Sequence, residues 1–195
     1  MTIKKTISSN LNMILSYLES WGAPVCGFLN KPINACEIQK HFEKINLLPT
    51  DELLELYQWK NGTKVVKGTL LDDVQLIPGF HLLNLQDSLR YYLSLKEDRR
   101  WDSSWFPIFA NGGGDFYAVD LSKSDGKKAP IIGFILGELE QEIEYQSLTA
   151  MVLTYCECFR NNIVYITEDG YLEMDDEKHA DLALKYNPDV EFWRS

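Results

Sequence analysis

Between residues 105 and 136 the chain carries three apolar runs joined by turns so short that one arrangement is left to them. Trp105-Phe106-Pro107-Ile108-Phe109 reads as a strand, Asn111-Gly112-Gly113-Gly114 as a turn, and Asp115–Leu121 as a second strand. A polar turn from Lys123 to Lys128, with Gly126, leads into a third strand, Ile131–Leu136. Parallel neighbours need a crossover of about a dozen residues or more, so these strands pair as an antiparallel meander. A run of three glycines between strands calls for positive φ, and Gly114 is expected to adopt it.

Helical patterns surround this meander. Ile7, Leu11, Ile14, Leu15 and Leu18 recur at helical spacing behind Ser8 and Ser9, which predicts a helix over 9–20, ended by Trp21-Gly22-Ala23-Pro24. Asn34 with Glu37 has the capping-box pattern and opens a helix to about Ile45. Pro49-Thr50-Asp51-Glu52 starts another, which runs through Trp59 and stops at Asn61-Gly62. Asn84 precedes a helix with Leu85, Leu89, Tyr92 and Leu93, and Ser147 one with Leu148, Met151, Val152, Tyr155 and Phe159 on one face. Ile163–Thr167 and Tyr171–Met174 flank Asp169-Gly170, a tight-hairpin signal. Asp175 and Asp176 begin a last helix that Asn187-Pro188 closes before Phe192 and Trp193. The fold class is therefore α+β. With 195 residues, no repeat and no long linker, one domain over 1–195 is expected, large enough to fold without a metal or disulfide.

Charge narrows the partners. The net charge of −10 arises entirely in residues 131–195, which hold four basic and fourteen acidic side chains. Such a field repels nucleic-acid phosphates and anionic membranes and attracts basic partners, so neither nucleic acid nor membrane is an expected ligand. The longest stretches free of charge, Thr6–Leu18 and Val74–Gln86, are 13 residues each, short of the ~20 that span a bilayer. Ser8, Ser9, Asn10 and Asn12 interrupt the apolar region that a signal peptide would need after Lys4 and Lys5, so a cytoplasmic location is expected.

Catalytic patterns are sparse. The Gly112-Gly113-Gly114 run leads into a strand, whereas a phosphate-binding loop leads into a helix. Asp115 and Asp120 stand an odd five residues apart on one strand and so face opposite ways; Asp115 is expected to bond amides of the glycine turn. His41, His81 and His179 fall in separate elements without ligand spacing. Cys26, Cys36, Cys156 and Cys158 complete neither a zinc quartet nor a disulfide framework, and reduced thiols are expected. No cofactor or metal is implied. Chelators and reducing agents should then leave the melting temperature unchanged, and a clear fall with either would overturn this reading of the cysteines.

The order of several pieces carries a resemblance. Leu48-Pro49-Thr50-Asp51-Glu52-Leu53, Trp59-Lys60-Asn61-Gly62, Trp105-Phe106-Pro107-Ile108-Phe109, Gly112-Gly113-Gly114-Asp115-Phe116-Tyr117-Ala118-Val119-Asp120, Ser147-Leu148 and Asn187-Pro188 with Phe192-Trp193 follow one another as in the SUKH superfamily. The chain resembles that superfamily, named partly for a fungal regulator of cell-wall synthesis, over roughly residues 30–193. The resemblance implies a curved, mainly antiparallel sheet flanked by helices. For most bacterial members it implies a non-catalytic immunity protein that binds and neutralises a polypeptide toxin, often a nuclease. A regulatory or scaffold protein for a cellular enzyme is the alternative, as in the fungal relatives.

Glu138, Glu140, Glu142 and Glu144 alternate with Leu139, Gln141, Ile143 and Tyr145. If that segment is extended, four carboxylates share one face. Such a row serves either as a solvated edge that resists aggregation or as a binding face for a basic toxin domain. These four glutamates are the candidate partner-binding residues.

Overall fold

Five strands form the antiparallel meander β1(His81–Leu82), β2(Trp105–Ala110), β3(Phe116–Asp120), β4(Ile131–Phe134) and β5(Glu142–Tyr145), each beside its neighbour in sequence. The computed structural model describes residues 6–194, so Lys4 and Lys5 lie outside it. Alternation along β3 sends Tyr117 and Val119 to one face of the sheet, and Phe116 and Ala118 to the other. Both faces are covered, which is why all five residues of β3 are buried. The proline inside β2 is accommodated where the register shifts between Pro107 and Phe109.

Among the described residues six α-helices complete the fold: α1(Ile7–Ser20), α2(Ala35–Glu43), α3(Asp51–Trp59), α4(Leu85–Leu95), α5(Leu148–Arg160) and α6(Asp176–Tyr186). A small second sheet pairs β6(Val164–Ile166) with β7(Leu172–Met174) through the expected hairpin. Side-chain caps explain most helix starts. Asn34, Thr50, Asn84, Ser147 and Asp175 each accept a bond from the amide three residues on. The first helix starts two residues ahead of expectation, because Thr6 and Ser9 form a reciprocal capping box and leave Ser8 inside the first turn.

The main core joins α1, α3 and α5 to the sheet face that holds Phe106, Ile108, Val119 and Ile131. Trp101, Phe116 and Phe134 pack on the opposite face with Tyr91 and Leu95 of α4. Helix α5 is buried nearly all round and not on one face alone, since α1 flanks one side and α6 another. Cys156 and Cys158 lie in it, and burial pushes the Cys158 thiol up to about 12. Asn187 anchors the far end: Oδ1 accepts from the Gln146 amide at 3.1 Å, and Nδ2 donates to the Ala183 carbonyl at 2.9 Å and the Thr154 hydroxyl at 3.3 Å.

The glycine turn behaves as expected at Gly114, with φ +116°, and Gly112 also has a positive φ of +79°. A Cβ at Gly112 would strike Leu71, and one at Gly114 would strike Leu136. Asp115 does not bond the turn's amides. Asn111 does so, its Oδ1 accepting from Gly113, Gly114 and Asp115 at 2.7, 3.1 and 3.0 Å, because an Asx side chain at the head of a turn reaches forward. Asp115 instead accepts from Asn111 Nδ2 at 2.6 Å and from the Leu136 amide at 2.9 Å. Asp120 is buried and holds Ser122 and Lys123, a local structural role.

Candidate functional site

The acidic segment is not one extended strand. Strand β4 ends at Phe134, short of the expected Leu136, and the chain turns before β5 begins at Glu142. Gln141 closes that turn: its Oε1 accepts from the Ile135 amide at 2.7 Å, while Nε2 donates to the carbonyls of Ile135 and Glu138 at 3.1 and 2.9 Å. Arg100, paired with Asp98 at 2.6 Å, donates to the Leu136 carbonyl from outside, and Asp115 holds the Leu136 amide. Five anchored bonds make this a preformed loop.

That geometry corrects the expected row of carboxylates. Glu138 and Glu140 lie in the turn and are exposed, Glu142 is exposed at the start of β5, and Glu144 is buried. Glu144 lies over Gly133 of the neighbouring strand, where any Cβ would overlap its Oε1. The four glutamates nevertheless meet, because all of them line one cleft of about 790 Å³ together with Gln141, Leu139 and Phe192. Among the described residues no lysine or arginine lines that cleft. Ile135, Leu136 and Leu139 are exposed beside it, Leu139 at 85 %. Exposed apolar side chains grouped on a braced turn are a feature of protein-binding surfaces.

Behind Glu144 lies a second space of about 540 Å³, between the Pro78-Gly79-Phe80 loop, β7, α6 and the short 3-10 turn Glu191–Arg194. Its inner wall is a group of aromatic side chains that sequence alone does not bring together. Tyr117 and Tyr155 have their hydroxyls 3.4 Å apart, and the Tyr145 hydroxyl lies 3.1 Å from His179 Nε2. Trp193 stands edge-on to His179, with ring centroids 5.2 Å apart, and its indole N–H donates to the Glu144 carbonyl. These residues come from β3, β5, α5, α6 and the C-terminal turn, so no local spacing signals their convergence.

Burial sets the protonation of this group. It holds the hydroxyls of Tyr117 and Tyr145 well above the usual tyrosine range, so both stay protonated. His179 is pushed down to about 4 by burial, against a smaller opposing pull from Asp176, and is neutral at pH 7. Burial raises the Glu144 carboxyl to about 7; a hydrogen bond from Tyr117 opposes the shift and the Glu142 charge adds to it. The arrangement therefore offers hydrogen-bond donors and one carboxyl that titrates near neutrality. Among the described residues no three His, Cys, Asp or Glu side chains are grouped to hold a metal ion, and no helix is long and apolar enough to cross a membrane. His41 is half-buried on α2 and His81 is buried in β1, both apart from the site.

A five-stranded antiparallel meander with helices packed on both faces defines an α+β domain of the SUKH type. The profile of the SMI1 / KNR4 family (SUKH-1) matches residues 32–154, well over half of the chain, and the protein belongs to that family. Membership is consistent with a toxin-immunity or a regulatory role. No curated protein matches the chain.

Proposed function

We propose that this protein is a non-catalytic immunity protein that acts in the cytoplasm and neutralises a basic polypeptide toxin, with neither nucleic acid nor membrane as its ligand. The observation that carries this reading is the braced turn at 135–141, which presents Glu138, Glu140 and Glu142 around a cleft that no described lysine or arginine lines, with exposed leucines at its side. A preformed acidic cleft loses little conformational freedom on binding and competes with phosphate for the same basic side chains. A basic nuclease domain suits it well. Family membership supports the choice and leaves a regulatory partner as the other reading.

The test is co-expression with a toxin captured on the protein, followed by kinetics with the purified pair. Growth arrest by the toxin alone, silenced by co-expression, is the expected result. Replacing Glu138, Glu140 and Glu142 by Gln should slow association by about tenfold at low ionic strength and flatten its salt dependence. Melting temperature should hardly move, because exposed charges contribute little to stability. Association at the wild-type rate and salt slope would remove the cleft from the interface.

A further inference from the structure

We propose that the aromatic pocket behind Glu144 binds the cationic head of a lysine or arginine side chain projecting from the basic protein partner. The inference rests on the proposed function for the source of that side chain, and on the pocket itself for its chemistry. Glu144 is only 7 % exposed, accepts a hydrogen bond from Tyr117, and has no cationic partner among the described residues. A buried carboxylate without a cationic neighbour is costly to ionise, and a positive charge brought beside it would offset that cost. Glu173 and Asp176 stand exposed at the rim, no lysine or arginine among the described residues lines the walls, and Lys178 on the same helix is turned to Asp175 at 2.5 Å.

The walls select the kind of cation. Phe80 and Tyr117 form one side, their rings 4.7 Å apart and tilted by 42°, and Trp193 closes the other side against Tyr145 and His179. Aromatic faces attract ammonium and guanidinium groups. Leu172 and Met174 give an aliphatic stem an apolar surface to lie on. Because the carboxylates are not clustered enough to ligate a metal, an extended organic cation suits the space better than a compact ion. The volume of about 540 Å³ falls within the ~300–1,000 Å³ of ordinary ligand pockets.

NMR titration of the full chain at pH 8 tests this with N-acetyl-lysine N-methylamide, the arginine and norleucine equivalents, and n-butylamine. Lysine and arginine amides should give saturable shifts at the Trp193 indole and at Phe80, Tyr117 and His179, and the norleucine amide none. Glu144→Gln should weaken binding about tenfold. Phe80→Leu, which leaves every charge in place, should weaken it about threefold. Well-dispersed spectra of both variants establish that they are folded. Equal shifts from norleucine, or full affinity in Glu144→Gln, would overturn the proposal. Binding of n-butylamine without the lysine amide would also overturn it, by making the pocket a free-amine site. These titrations contain no toxin, so their failure leaves immunity standing, and failure to silence a toxin leaves a measured cation pocket standing.

Discussion

Replacing Gly62 by alanine is expected to destabilise the protein by about 4 kcal/mol or more, among the largest effects open to a single small substitution. Gly62 has φ +65°, where a side chain is strained, and its surroundings leave no room. A Cβ there would sit 2.2 Å from the Asn84 nitrogen and 2.3 Å from the Leu83 carbonyl carbon, both backbone atoms that cannot rotate away. The same point fixes several elements at once. The Gly62 carbonyl accepts from the Asn30 amide at 2.9 Å, and Asn61 Oδ1 accepts from the Leu85 amide at 2.9 Å, at the start of α4. The Thr63 amide and hydroxyl both bond the Leu82 carbonyl in β1. For a chain of this size the loss corresponds to a fall in melting temperature of about 10 °C or more. Gly22→Ala is the control, since Gly22 has φ +74° with nothing within 4 Å of the added Cβ. It should cost only the backbone term of about 1–2 kcal/mol. Similar losses in the two variants would show that the close approach at Gly62 has no energetic consequence.

Local chemistry made much of the fold legible. Caps at Asn34, Thr50, Asn84, Ser147 and Asp175 act within four residues of themselves, and the meander is dictated by short turns that permit nothing else. What stayed hidden depends on partners far along the chain. Alternation from Glu138 to Tyr145 looks extended, but Gln141 and Arg100 bind carbonyls of the 135–138 segment and hold the first half as a turn. Glu52 reads as a first-turn acid of α3. In the structure its carboxylate also accepts from the amides of Leu148 and Thr149 at 3.1 and 3.0 Å, where α5 begins. The pocket is the extreme case, because Tyr117, Glu144, Tyr155, His179 and Trp193 converge from five elements whose own patterns are satisfied without one another. Sequence pattern located the acidic segment; only tertiary packing singled out Glu144 within it.

That singled-out carboxyl gives the second large effect. Glu144 titrates at about 7 in the folded protein against an ordinary 4.5, so between those values the folded chain holds a proton that the unfolded chain has released. Its contribution to stability therefore falls as pH rises through that window, by about 3 kcal/mol in all, and is constant above it. His179 works in the opposite sense: at about 4 against 6.5, it lets the unfolded chain hold the additional proton, so stability rises with pH across that range. Below pH 6.5 the two trends largely cancel, and the wild-type profile alone conceals both. Glu144→Gln isolates one of them, since His179 and the similarly buried His81 remain in both proteins. The variant's advantage in melting temperature should grow from about pH 4.5 to 7 and then level, reaching roughly 6–12 °C. A difference that stays flat across this range would mean that Glu144 ionises as freely as a surface carboxylate. A difference that levels above pH 7 identifies the ionised form as the costly one. That is the form an incoming cation would neutralise, so the charge that weakens the empty protein is the charge that would hold its guest.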